Sequence, residues 1–160
     1  MELKTVGMRI PADANLILGQ THFIKTVEDL YEVMVNTVPG IKFAIAFSEA
    51  SGPCLVRVEA NDEELRQAAV ENALAIGAGH VFVVLLRQGY PVNVLGRIKE
   101  CFEVCSLYCA TANPLEVIVA ASAQGRGVLG VIDGYSPKGV EGPEDVKHRK
   151  EFLRQIGYKL

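Results

Sequence analysis

The stretch Gly19-Gln20-Thr21-His22-Phe23-Ile24-Lys25-Thr26 sets an amide, an imidazole and an ammonium between a short apolar run and the start of a helical pattern. Each type has a use with phosphate. A neutral imidazole is a nucleophile or a base near pH 7, and a lysine offsets phosphoryl charge. A helix N-terminus adds unpaired amides and the positive end of the helix dipole, so an anion is favoured there. The segment therefore nominates His22 as phosphoacceptor, Lys25 as its charge partner and Gln20 as a positioning group. The same residues also read as a surface histidine, a solvated lysine and a Thr26 helix cap.

Cys109-Ala110-Thr111-Ala112-Asn113-Pro114 is a strand end of small residues, open to a flat ligand, with Thr111 and Asn113 as donors and acceptors. An Asn-Pro turn accounts for it equally. Asp133-Gly134 closes another strand, where a carboxylate could hold Mg²⁺, accept from a ribose hydroxyl, or simply make a turn. His80 precedes an apolar strand and reads first as a structural hydrogen-bonding residue, second as a site residue. His148 sits among Lys147, Arg149 and Lys150 on a charged helix face and reads as solvated.

Gly125-Arg126-Gly127-Val128-Leu129-Gly130 matches G-x-G-x-x-G. A dinucleotide fingerprint needs a helix after it, whereas Val131-Ile132-Asp133-Gly134 continues as a strand. The context is a glycine-rich hairpin, and the other protein-kinase motifs (V-A-I-K, H-R-D, D-F-G) are missing. Arg126, flanked by two glycines, could still bring a guanidinium and backbone amides to an anion.

The elements that must carry these groups follow from periodicity. Lys4–Ile10 reads as a strand stopped by Pro11, and a helix opens near Thr26 with Val27, Leu30, Tyr31, Met34 and Val38 in phase. Phe43–Phe47 and Leu55–Glu59 are strands. Asn61 with Glu64 resembles a capping box for a helix carrying Leu65, Ala69, Ala73 and Ile76. Val81–Leu86 is a continuous apolar strand, covered on both faces. Pro91 opens a helix with Val94, Ile98 and Phe102 inward. Leu107–Ala110, Val117–Ala121 and Val128–Ile132 follow as strands, and Gly142-Pro143 introduces a last helix. The order β-α-β-β-α-β-α-β-β-β-α departs from pure alternation and predicts a single α+β domain over residues 1–160, with a mixed β-sheet packed by helices.

Composition narrows the class. With 49% hydrophobic and 22% charged residues and a formal charge of −3, the chain can build a core but offers no basic block for nucleic acid. No signal peptide is legible, and no apolar run approaches the ~20 residues of a membrane span. A soluble, cytoplasmic protein is expected. Cys101, Cys105 and Cys109 recur every fourth residue, but no histidine completes a ligand set, so they read as buried small hydrophobes, Cys101 and Cys105 on a helix face with Ile98 and Phe102.

Taken together, Gly19–Glu32 (GQTHFIKTVEDLYE), Gly77–His80 (GAGH), Tyr108–Pro114 (YCATANP), Gly125–Gly134 (GRGVLGVIDG) and Leu153–Lys159 (LRQIGYK) resemble the adenosine-specific kinase family. The resemblance covers nearly the whole chain. It implies a compact subunit of a homo-oligomer, with a trimer favoured, that binds adenosine, AMP or ATP and forms a stable phosphohistidine. Local chemistry favours His22 over His80, since only His22 has Lys25 and a helix N-terminus beside it. On this expectation Lys25, Arg126 and an Mg²⁺ held through Asp133 balance phosphoryl charge, while Gln20, Thr111 and Asn113 position phosphate, ribose or base. Two other functions compete: a nucleoside sensor without catalysis, and a structural oligomer.

Overall fold

The computed structural model describes all residues 1–160. Eight strands and four helices follow in the order β1 (Glu2–Gly7), β2 (Asn15–Thr21), α1 (Thr26–Thr37), β3 (Lys42–Ser48), β4 (Val56–Ala60), α2 (Glu63–Ile76), β5 (Val81–Arg87), α3 (Pro91–Glu100), β6 (Val104–Thr111), β7 (Leu115–Ala121), β8 (Arg126–Asp133) and α4 (Pro143–Gln155). The α+β class and the order of elements are as expected, with β2 as one additional strand. The mixed sheet is corrected to two sheets, β4-β3-β5-β2-β6 and β1-β7-β8, whose ladders are all antiparallel. Each helix does join two strands that run parallel (β2 to β3, β4 to β5, β5 to β6), but an antiparallel strand lies between the members of every pair, so no two parallel strands are neighbours.

The five-stranded sheet is buried on both faces. Leu16, Leu18, Ala44, Ala46, Val83 and Leu85 pack under α2 and the inner face of the small sheet (Leu115, Val117, Val119). Ile17, Phe43, Ile45, Phe47, Phe82 and Val84 pack under α1 and α3 through Leu30, Met34, Val94 and Ile98. Strict alternation in β2, β3 and β5 thus feeds two cores. In β2, Gly19 is required by close approach, because a Cβ there would run into the Phe82 ring and Leu107.

One helix start and one helix end differ from expectation. Asp62, not Asn61, caps α2 by accepting the Leu65 N–H at 3.1 Å. Asn61 instead bridges to β3 through the Phe43 N–H and the Ile41 carbonyl. The α3 helix stops at Glu100, so Cys101 and Cys105 do not share a helix face, and Phe102 is fully exposed rather than inward. The β6 strand begins there, and its two-residue period replaces the helical one.

Candidate functional site

Both nominated histidines sit at one rim of the five-stranded sheet, where β2 ends and β5 begins. Thr21 donates its backbone N–H to the His80 carbonyl at 2.9 Å, and His80 donates its own N–H to Ser48 O at 2.7 Å. His22 follows Thr21, is exposed, and gives its N–H to Glu103 O at 3.0 Å. His80 is half-buried, lies flat against Phe47 with ring centroids 5.9 Å apart, and holds φ at 61°. A non-glycine residue in that region carries local strain.

The start of α1 is more fully committed than its sequence suggests. Lys25, not Thr26, occupies the cap position, and the Thr26, Val27 and Glu28 amides donate to the carbonyls of Phe23, Ile24 and Lys25. The amides that usually stand free at a helix N-terminus are therefore spent on the preceding turn. Thr26 is buried, and its hydroxyl joins Thr21 Oγ1 and the Phe23 carbonyl. The Lys25 ammonium lies 2.6 Å from Asp29 Oδ2 and 3.6 Å from Glu103 Oε2. The Asp29 hydrogen bond raises the Lys25 pKa, the cost of burial opposes it, and the Glu103 charge adds a smaller rise. Lys25 in turn holds the Asp29 carboxyl below its ordinary range. Gln20 accepts the Tyr108 hydroxyl at 3.1 Å through Oε1.

Beside this rim a cavity of about 720 Å³ opens between the two sheets. Its wall is mostly small (Gly77, Ala78, Gly79, Ala120, Gly125, Gly127), with Ser48, Glu49 and Arg126 as polar members. Gly79 is needed for the closeness of that wall: a Cβ would come 2.7 Å from Ala50 Cβ. Arg126 is the only basic side chain lining the space. It uses Nη1 alone, on the carbonyls of Ala75 (3.0 Å) and Ile76 (3.4 Å) at the C-terminus of α2, and no carboxylate pairs with it. Glu49 is held elsewhere. The Leu55 N–H and the Arg57 guanidinium grip its carboxylate and keep its pKa low.

The remaining nominated residues meet one another, but at the other end of the molecule. Asp133 Oδ1 accepts from Thr111 Oγ1 at 2.7 Å and from Asn113 Nδ2 at 3.1 Å, tying the β6–β7 turn to the end of β8. Arg126 and Asp133 bound the same strand, so they stand about 23 Å apart along it. Within one subunit they cannot face a single phosphate. No group of three or more His, Cys, Asp or Glu side chains is arranged to hold a metal ion by itself. The cysteines are free, and Cys54 and Cys105 are exposed, correcting the buried reading for Cys105. Burial, then Asp133, pushes the Cys109 thiol up to about 11, leaving it protonated and apolar in character. His148 is exposed, and α4 has no buried residue at all.

Two acidic residues escaped the sequence reading. Asp29 lies one turn after Lys25, a spacing that pairs charges on a helix, and could have been found from it. Glu103 sits in the run Cys101-Phe102-Glu103-Val104-Cys105, which reads as apolar. The one signal was a lone acid inside it.

A cavity of this size, walled by small residues with a few polar groups, has the dimensions of a small-ligand pocket. Comparison with known proteins names the kind of domain. The family described as adenosine specific kinase matches residues 6–159, and the chain belongs to that family. The crystal structure of the PH1918 protein from Pyrococcus horikoshii OT3 is similar at 44% identity and a TM-score of 0.95, covering 99% of this chain and 98% of that one. No curated protein matches. No helix is long and apolar enough to cross a membrane.

Proposed function

We propose that the chain binds adenosine or an adenine nucleotide in the cavity beside Arg126 and carries a phosphoryl group on a histidine of the adjoining rim, His22 first and His80 as its neighbour. The observation that carries the reading is that two histidines meet at one sheet end, His22 near Lys25 and His80 next to Gly79 of a nucleoside-sized cavity, whose wall also holds a guanidinium with no carboxylate partner. ATP would be the phosphoryl donor. The imidazole nitrogen attacks the terminal phosphorus in line, the N–P bond forms, and the bridging P–O bond breaks with its electron pair on the departing nucleoside diphosphate. Arg126 and Lys25 offset the charge on the phosphoryl oxygens. Thr111, Asn113 and Asp133 could serve the same phosphate only from a second copy of the chain.

A homo-oligomer, with a trimer favoured, is part of the proposal. The outer face of the small sheet aligns Leu3 with Ala120 and Gly127, Thr5 with Ile118 and Gly130, and Glu116 with Ile132, so it is largely apolar. Leu3 and Ile132 are exposed there, as is Leu129 in the same strand. Along α4, Phe152 is equally uncovered. A contiguous apolar face of this kind calls for a partner surface. Light scattering that returns a monomer overturns this part.

A sensor without catalysis is the second reading, favoured by the spent α1 amides and by the pairing of Lys25 with Asp29. Incubation with γ-³²P-ATP separates the two. A phosphoryl carrier gains acid-labile label that His22→Ala removes, with adenosine binding intact. Label that survives His22→Ala and disappears in His80→Ala transfers the role to His80, and an unlabelled wild-type protein leaves the sensor.

A further inference from the structure

Glu103 is a carboxylate that the fold buries and leaves without a donor. Its side chain is 1% exposed, and neither Oε1 nor Oε2 has a hydrogen-bond partner. Its nearest cation is the Lys25 ammonium at 3.6 Å, while its backbone carbonyl accepts the His22 N–H and the Thr21 hydroxyl. A buried carboxylate whose oxygens accept no hydrogen bond is costly, and a buried ion pair commonly adds nothing to stability over well-packed neutral groups of similar volume. Packing therefore does not account for an acid at this position. Its surroundings do: Lys25 and Asp29 come from α1, Cys101 from the end of α3, Cys105 from β6, and all lie beneath the His22 segment.

We infer that Glu103 is a positioning residue: its buried charge holds the Lys25 ammonium at the histidine rim, where Asp29 alone would let it swing out into solvent. The inference rests on the proposed phosphoryl transfer for its catalytic consequence, but not for its geometry. Asp29 is partly exposed and can turn with Lys25, whereas Glu103 is locked between β6 and the ends of α1 and α3. When a phosphoryl oxygen arrives, Lys25 can exchange Asp29 for it and remain within the field of Glu103. The rise in the Lys25 pKa, to which Glu103 contributes, agrees with this arrangement.

The test is Glu103→Gln, which keeps size and burial, read in two ways. The first is the rate of labelling by γ-³²P-ATP in Glu103→Gln, Lys25→Ala and the double variant. The second is titration of the Lys25 ε-methylene by NMR, which needs no activity. Glu103→Gln should keep its melting temperature, label about tenfold more slowly, and lower the Lys25 titration midpoint. The double variant should be no slower than Lys25→Ala, because the two residues act through one ammonium. An unchanged midpoint overturns the inference, whatever the labelling rate. So does a double variant whose losses multiply. A wild-type protein that takes no label refutes the phosphoryl reading instead, and the midpoint alone then decides the role of Glu103. Should Glu103→Gln fail to fold, Glu103→Met carries the same readouts.

Discussion

The Thr21 N–H and the His80 carbonyl meet at 2.9 Å, and this single backbone bond sets His22 beside His80 at the edge of the sheet. The link depends on His80 holding its left-handed backbone at φ 61°, a conformation that glycine adopts without cost. His80→Gly should therefore be more stable than His80→Ala by about 1 kcal/mol, since both lose the Phe47 contact but only alanine keeps the strain. Urea unfolding of the two variants checks it. Equal midpoints would show that the strain has no energetic weight.

Arg126 joins two jobs on one guanidinium. Through Nη1 it neutralises the carbonyl end of α2, and its side chain lines the cavity. Arg126→Ala should weaken binding of an adenine nucleotide by about ten- to a hundredfold, the range of a lost charge-assisted hydrogen bond, and weaken adenosine far less. Calorimetry with both ligands measures the difference. An equal loss for the two would place the guanidinium away from the phosphate.

Stability should fall in acid through Asp62. Burial pushes its carboxyl up, but the Leu65 N–H and the Arg87 guanidinium outweigh it, so the folded pKa lies below the ordinary 3.8. A depressed folded value means that the unfolded chain takes up the proton first. The stabilisation is thus complete above the ordinary value and disappears as pH drops through the folded one. Asp62→Asn should flatten that acid limb by losing the Arg87 pair at neutral pH, while the cap on the Leu65 N–H survives, because Asn is also a good helix cap. Thermal melts between pH 7 and pH 2 test this, and an acid limb as steep as that of the wild type would assign it to other groups.

Much of this protein was legible from residue order alone. Short apolar runs bounded by turn residues marked β3, β5 and β7, helical spacing marked α1 and α2, and the glycine hairpin around Arg126 was recognisable from the strand that follows it. These signals are local, since they arise from how consecutive side chains divide between faces. Thr111, Asn113 and Asp133 were also picked out, and they do meet.

What residue order could not decide was which groups share a space. The fold separates Arg126 from Asp133 by the length of a strand, and spends the α1 amides on their own turn. It also brings Glu103, in the turn before β6, against Lys25 at the cap of α1, across a separation of 78 residues that no pattern spans. Charge and hydrogen-bond capacity belong to the residue. Whether they are free for a ligand depends on neighbours that only the folded chain supplies.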